Sequence, residues 1–340
     1  MKITSVVIIF VFMIGLLSFD EAVIAPKMKL SEYGFFKTPM QQLQPEQRVF
    51  PYEVNAPLFT DYADKARFIY LPEGTAMQYD ERQSFVFPEG AVIIKNFFYP
   101  VNAAAPEKGR QMVETRLLIR EKSGWKALTY LWNETQTDAL LEVAGATLPV
   151  HWADERQKKH SIEYVVPNVN QCKGCHSYDG QFTPIGTTAR QMNRPVNGEN
   201  QLEHWVKAGF LQVPDGFLLN NAPVLTDYRN PAAPVEAAAR AYLDANCAHC
   251  HNEHGPGFTS GMFLNIDENR PERLGIGKPP VAAGRGSGKA KYGIVPGKPD
   301  QSILYYRMES TDPGVRMPEL GRSTTHKEGL ALIKTWIEQM

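Results

Sequence analysis

Four cysteines and two histidines form two short motifs of the same pattern, C-x-x-C-H, which together use every cysteine of the chain. The motifs contain Cys172, Cys175 and His176 in CKGCH, and Cys247, Cys250 and His251 in CAHCH. Two residues between the thiols allow both sulfurs to bond to the vinyl-derived carbons on one edge of a porphyrin, and the imidazole that follows can then ligate the iron. The spacing predicts two covalently bound haem c groups, with His176 and His251 as proximal iron ligands.

Disulfides and zinc are the two other uses that four cysteines could have. Exported proteins often pair their cysteines, and two C-x-x-C pairs can hold a structural zinc ion. Neither use explains why a histidine directly follows the second cysteine of each pair, and structural zinc is less expected outside the cytoplasm. Haem attachment accounts for both histidines and leaves no cysteine over.

A sixth ligand for the second haem is predicted at Met317, which precedes Pro318 and the last helix. A methionine there would place a thioether opposite the proximal histidine. Met/His ligation raises the reduction potential and closes the iron to small molecules. Met308 and Met262 are alternatives, and a loop methionine can also simply fill core space.

The sixth ligand of the first haem is less defined by the sequence. Met192 is our prediction, His204 is an alternative, and an open iron is a third possibility. Arg190 and Arg194 flank Met192. A guanidinium matches a carboxylate in shape, so these arginines are candidates for binding haem propionates, although both could equally be exposed surface residues.

The elements that must position these residues fall into three regions. Residues 26–164 are predicted to form a β-rich, sandwich-like domain, with strands at 91–99, 115–120 and 125–132 between turn segments. Residues 165–233 carry the first motif, whose lead-in at 164–170 lacks a helix pattern. A helix is predicted from 198 to 207, before Gly209.

The third region, residues 234–340, has the size and pattern of a small cytochrome c domain. An alanine-rich helix is predicted from Val235 to Asn246, running directly into Cys247. A second helix is predicted over 326–338, where Leu330, Ile333 and Ile337 fall on one stripe. The predicted fold is thus multidomain β plus α, ending in a mostly helical cytochrome c-like domain.

The overall charge and the N-terminus limit the partners and the location. Lys plus Arg is 36 and Asp plus Glu is 37, a near-neutral balance that argues against nucleic acid. An apolar run from Val6 to Phe19 follows Lys2, as in a secretory signal, with predicted cleavage after Ala25. The run is shorter than the roughly 20 residues of a spanning helix, so an uncleaved anchor is the less favoured alternative. We therefore expect a periplasmic protein with no stable membrane span after cleavage.

Beyond the motifs, the chain after the signal resembles a bacterial family of dihaem c-type cytochromes that has no assigned function. The segments that carry the resemblance are LSEYGFF at 30–36, APLFTDYA at 56–63, FPEG at 87–90, ETRLL at 114–118, VPN at 166–168 and NQL at 200–202. The C-terminal region also resembles the small cytochrome c domain in its helix before the motif, its Met317-Pro318 pair and its closing helix. These resemblances imply haem binding and electron transfer and suggest no substrate.

Three functions follow from the sequence. The first is electron transfer between the haems and a redox partner protein or a small-molecule donor or acceptor. The second is a dihaem peroxidase or oxidase with an open first haem, although such enzymes are built from two cytochrome-like domains. The third is a docking role for the β-rich domain, towards a protein partner or a glycan.

Overall fold

An antiparallel sheet of six strands is the largest element of the protein, whose computed structural model describes residues 25–340. The strands are β1 (Val49–Tyr52), β2 (Asp64–Tyr70), β3 (Met77–Gln78), β4 (Val92–Pro100), β5 (Arg110–Glu121), β6 (Gly124–Trp132), β7 (Ala139–Glu142), β8 (Ala146–Ala153), β9 (Lys159–Val166), β10 (Ser177–Tyr178), β11 (Gln181–Phe182), β12 (Pro195–Val196), β13 (Glu199–Asn200) and β14 (Leu211–Gln212). The α-helices are α1 (Val169–Cys175), α2 (Ala189–Met192), α3 (Gln201–Lys207), α4 (Val235–Asn246), α5 (Ile303–Glu309) and α6 (Lys327–Glu338). The described chain is a mixed β and α structure, as predicted at this coarse level.

The order of strands in the large sheet is β1-β2-β4-β5-β6-β7. The three strands predicted from the sequence are confirmed as β4, β5 and β6. Along β4, Ile93 packs into one hydrophobic cluster while Val92 and Ile94 pack into another on the opposite face. Successive side chains of a strand alternate between faces, so an almost continuous apolar run signals a strand covered on both sides.

Different parts of the chain cover the two faces. Leu30, Phe35 and Met40 from the N-terminal segment pack on one face. Residues of the region that carries the first motif, including Leu202 and Trp205, pack on the other. The β8–β9 hairpin packs against that same second face further along the sheet. The predicted boundary between 164 and 165 is therefore crossed by one continuous hydrophobic core.

The C-terminal region is built around α4 and α6, which pack on each other with α5 beside them. Helix α4 has the predicted bounds, and α6 begins one residue later than predicted. Leu243 of α4 and Ile333 of α6 are fully buried in their shared cluster. An apolar stripe on each helix accounts for this packing, because each stripe must be covered.

The lead-in to the first motif differs in part from its prediction. Strand β9 ends at Val166, but helix α1 already begins at Val169, so the expectation of a non-helical lead-in is wrong for its last two residues. The cause is a capping box. The Asn168 side chain accepts a hydrogen bond from the Gln171 N–H, and the Gln171 side chain accepts one from the Asn168 N–H, each at 2.9 Å.

Residues 1–24 of the predicted signal segment, including the apolar run at 6–19, lie outside the described residues. Within residues 25–340, no helix is both long enough and apolar enough to cross a membrane.

Candidate functional site

Both C-x-x-C-H motifs border one cavity of about 740 Å³. Cys172, Cys175 and His176 of the first motif line it, as do Cys247 and His249 of the second. This volume lies within the roughly 300–1,000 Å³ typical of cofactor and ligand pockets. The structure thus brings together two motifs that are far apart in the sequence.

The first motif lies on α1, where residues three apart share a face. Cys172 and Cys175 have this spacing, and Cys172 packs against the hydrophobic cluster under the sheet. His176 follows the helix, and its ring stacks on Phe182 with centroids 5.0 Å apart. Its Nδ1 donates a hydrogen bond to the Thr183 carbonyl at 2.8 Å. Since a carbonyl can only accept, Nδ1 carries the proton and Nε2 keeps a free lone pair for a metal.

The second motif follows α4, which ends at Asn246. His251 Nδ1 lies 3.3 Å from the Met262 carbonyl, which again leaves the lone pair of Nε2 free for a metal. Burial is the main cause that lowers the pKa of both His176 and His251, and it brings that of His176 to about 3. Both imidazoles are therefore neutral near pH 7, the form in which histidine binds iron.

The two motifs meet at their second cysteines. The ligating atoms of Cys175, His249 and Cys250 all lie within 4.8 Å of one another, and the Cys250 thiol donates to the Gly174 carbonyl at 3.5 Å. All four cysteines are free thiols. His249 Nδ1 is buried without a hydrogen-bond partner. This group supplies three ligands, whereas a structural zinc site normally has four.

Met317 lines the cavity in the loop before α6. Buried Arg322 holds this loop, because its guanidinium donates to the carbonyls of Met317 at 2.9 Å and Ser310 at 2.9 Å. Of the two alternatives, Met308 also lines the cavity, whereas the described lining does not include Met262. The main role seen for Met262 is its carbonyl, which accepts from His251.

The residues predicted as the sixth ligand of the first haem do not line the cavity. Met192 is fully buried in the hydrophobic cluster under the sheet and does not belong to the described cavity lining. His204 is largely exposed and pairs with Glu199 at 3.0 Å. Arg190 does line the cavity, but Arg194 pairs with Glu53 outside the described lining. A ligand role for Met192 stays a prediction that this placement does not favour.

A group of cations on the cavity face of the sheet was not predicted from the sequence. Arg67, Lys95 and Arg116 face one another directly across β2, β4 and β5, and we call these three residues the cationic row. All three line the cavity. A signal was available, because Lys95 and Arg116 interrupt strongly apolar stretches.

Taken together, the donor set fits a large anionic macrocycle of the predicted kind. Three free cysteines, the neutral imidazole of His176 with its free Nε2 atom, and the cationic row all border the same space. Comparisons with protein-family models, curated proteins and solved structures found no match. The function therefore has to be argued from the geometry of the cavity.

Proposed function

We propose that the protein is an exported dihaem c-type cytochrome that transfers electrons outside the cytoplasm. The observation that carries this proposal is that residues of both C-x-x-C-H motifs line a single cavity and that the motifs meet at Cys175 and Cys250. Neither disulfides nor a zinc ion would explain the volume of the cavity or the cations that line its wall.

Each part of the chain has a role in this proposal. The thiols anchor the two haems, and the haems supply iron that gains and loses one electron. His176 and His251 present neutral Nε2 atoms to the irons, held by hydrogen bonds from Nδ1 to backbone carbonyls. Met317 is the proposed sixth ligand of the second haem. A fixed tautomer and ring orientation keep such a ligand basic and in place.

The C-terminal region supports a cytochrome c-like domain as the finer description of the fold. Helix α4 runs directly into Cys247, Met317 lies on the cavity wall, and α6 closes the region against α4. For the N-terminal region, a sandwich-like domain remains the proposal, with the large sheet as one layer and the β8–β9 hairpin on its cavity face.

Electron exchange between the two haems follows from the position of the attachment points. Cys175 belongs to the first motif and Cys250 to the second, and their sulfurs lie within 4.8 Å. Haems attached through these two residues would have their thioether edges side by side. We therefore propose that the two irons act as one coupled pair.

A dihaem peroxidase or oxidase is the second candidate, and one observation favours it. Neither Met192 nor His204 belongs to the described lining of the cavity, so the first iron has no sixth ligand among the predicted residues. Carbon monoxide binds a ferrous haem only where a coordination position is open. A spectrum of the reduced protein that carbon monoxide leaves unchanged would remove this candidate.

The experiment that tests the proposed function is production of the full chain in a periplasm that contains the haem-attachment machinery. We expect an intact mass with two haems, and cleavage after Ala25. The paired variants Cys172→Ala/Cys175→Ala and Cys247→Ala/Cys250→Ala should each lose one haem. A haem-free chain that contains zinc or two disulfides would overturn the proposal.

A further inference from the structure

The cationic row places like charges side by side with too few carboxylates nearby to neutralise them. Arg67 and Lys95 are Cα partners in adjacent strands, and so are Lys95 and Arg116. Directly opposite residues have their Cβ atoms about 5 Å apart, where like charges destabilise a sheet. Lys65, two residues before Arg67, adds a fourth cation on the same face of the sheet.

Only one of these four cations has a carboxylate partner among the described residues. Arg116 forms a two-pronged ion pair with Glu114, with contacts of 2.5 and 2.9 Å. Lys95 donates to the Ile185 carbonyl at 3.1 Å, and Lys65 donates to the Leu58 carbonyl at 2.8 Å. The guanidinium of Arg67 forms no hydrogen bond and no ion pair with the described residues. The carboxylate of Glu53 acts on it only through space, since Glu53 forms its ion pair with Arg194.

The other carboxylates at the cavity do not compensate the row, because each pairs elsewhere. The pairs are Asp244 and Asp267 with Arg190, Glu253 with Arg273, and Glu268 with Arg270 and Arg273. Isolated buried charge is costly, so buried cations are normally paired with an anion. Burial, reinforced by Arg67 and Arg116, lowers the pKa of Lys95 to about 7.

Tyr52 is an independent sign that a polar ligand belongs here. It is the Cα partner of Arg67 on β1, so it extends the row by one strand. Its side chain lines the cavity, is only 3% exposed, and its hydroxyl has no hydrogen-bond partner. A buried hydroxyl without a partner costs free energy, which a ligand acceptor beside it would recover.

We propose that the cationic row and Tyr52 bind carboxylate groups, and that these are the propionates of the haem attached at Cys172 and Cys175. This inference rests on the proposed function. Propionates lie on the porphyrin edge opposite the thioether bonds, and a haem carries two of them. Two carboxylates neutralise the two row cations that have no carboxylate of their own.

The first haem is assigned rather than the second because the row lies near the first motif. Lys95 donates to the carbonyl of Ile185, two residues after Thr183, whose own carbonyl accepts from His176. Cys172 packs in the same hydrophobic cluster as Ile93 and Leu118, which lie two residues from Lys95 and Arg116 on β4 and β5. The sheet therefore has a direct part in the site, since it supplies the wall that receives the propionate edge of the first haem.

The test uses the full dihaem protein and the variants Arg67→Gln and Lys95→Met. Removing a cation that faces a propionate favours the oxidised, more positive haem, so the reduction potential of one haem should fall while the other is unchanged. Arg67→Lys should largely restore the potential. Lys126→Met is the matched control, because Lys126 lies on the same sheet, pairs with Glu121 at 3.4 Å and is outside the described lining.

A dissolved oxyanion is the competing source of negative charge, and a second measurement separates it. At constant ionic strength, added phosphate or acetate should leave the potentials of the unaltered protein unchanged, because the propionates already fill the row. An anion-dependent shift that Arg67→Gln abolishes would overturn the propionate assignment, as would unchanged potentials in both variants. The intact mass, measured first, distinguishes failure of the proposed function, since a haem-free chain refutes both proposals.

Discussion

Met317 is the residue on which the proposed closure of the second iron depends. We predict that Met317→Ala lowers the reduction potential of one haem, because loss of a thioether ligand removes its preference for ferrous iron. The altered haem should also bind carbon monoxide. Potentiometric titration and absorption spectra with and without carbon monoxide measure both effects.

Met262→Ala is the matched control for this prediction, since Met262 is a second methionine of the same region outside the described lining. It should leave both haems closed to the same extent as in the unaltered protein. Identical potentials in Met317→Ala and the unaltered protein would contradict the assignment, and Met308 would then be the next residue to test.

His326 makes the stability of the fold depend on pH. Its ring stacks on Phe59 with centroids 4.2 Å apart, and its Nδ1 lies 3.2 Å from the Tyr242 hydroxyl. Burial lowers the pKa of His326 from 6.5 to about 4. Between these values the unfolded chain binds the proton more readily, so stability present above pH 6.5 is lost as the pH falls towards 4.

We predict that protonation of His326 lowers the free energy of unfolding by about 2 kcal/mol when the pH falls from 7 to 5. Urea unfolding of the unaltered protein and of His326→Gln at both pH values isolates this contribution. The exposed His204 provides the control, since His204→Gln should preserve the full dependence on pH. A His326→Gln variant with an unchanged dependence on pH would contradict the prediction.

At the scale of elements, the segment 56–63 ties the sheet to the C-terminal region. The Tyr228 hydroxyl donates to the Pro57 carbonyl at 2.6 Å, and the Phe59 N–H donates to the Asn246 side chain at 2.8 Å. The buried carboxylate of Asp61 accepts from the N–H and the hydroxyl of both Ser323 and Thr324, at 2.8 to 3.0 Å. These contacts fix the loop between Met317 and α6.

Asp61→Ala should therefore lower the free energy of unfolding by about 3 kcal/mol, since several hydrogen bonds to a charged group are lost and their donors stay buried. The Met317 loop should loosen as well, which would increase carbon monoxide binding. Urea unfolding and ligand titration test the two effects. Asp64→Ala, at a nearby exposed carboxylate, should change neither, and equal losses in the two variants would count against the role of Asp61.

Whether an element was predicted correctly depended on which interactions define its ends. Helices α4 and α6 were predicted almost to the residue, α4 from its alanine-rich composition and α6 from its stripe of apolar side chains. The start of helix α1 was not predicted, because a helix this short depends on its N-terminal cap. The pairing of Asn168 with Gln171 is visible in the sequence, and it would have indicated the correct start.

The candidate site was predictable only where residues are neighbours in the chain. The four cysteines and two histidines proposed for haem attachment and iron ligation follow from two local motifs, and the proposed ligand Met317 follows from its place before the last helix. The cationic row becomes a row only through the register of β2, β4 and β5, which the sequence does not specify. Met192 illustrates the reverse, because proximity in sequence suggested a ligand that the fold places in a hydrophobic cluster.

At the scale of the whole molecule, one core extends from the sheet into the region that carries the first motif. Ile93 and Leu118 share a buried cluster with Leu202 and Trp205. We predict that a fragment of residues 26–164 fails to unfold cooperatively, because that face of its sheet is uncovered. The fragment 26–222 keeps the cover and is the matched comparison. Urea unfolding followed by circular dichroism tests this, and cooperative unfolding of the shorter fragment would show that the sheet is an independent domain.

The residues that enclose the cavity span most of the sequence, and this has a consequence for the order of events during biosynthesis. Its walls run from Tyr52 near the start of the sheet to His326 at the start of the last helix, so the enclosure is complete only when almost the whole polypeptide is present. A rigid macrocycle attached through cysteines on that wall has to be joined while the chain is still open. For the proposed cytochrome, covalent loading would therefore come before the final folding step, and the loaded groups would serve as the surfaces around which the last elements pack.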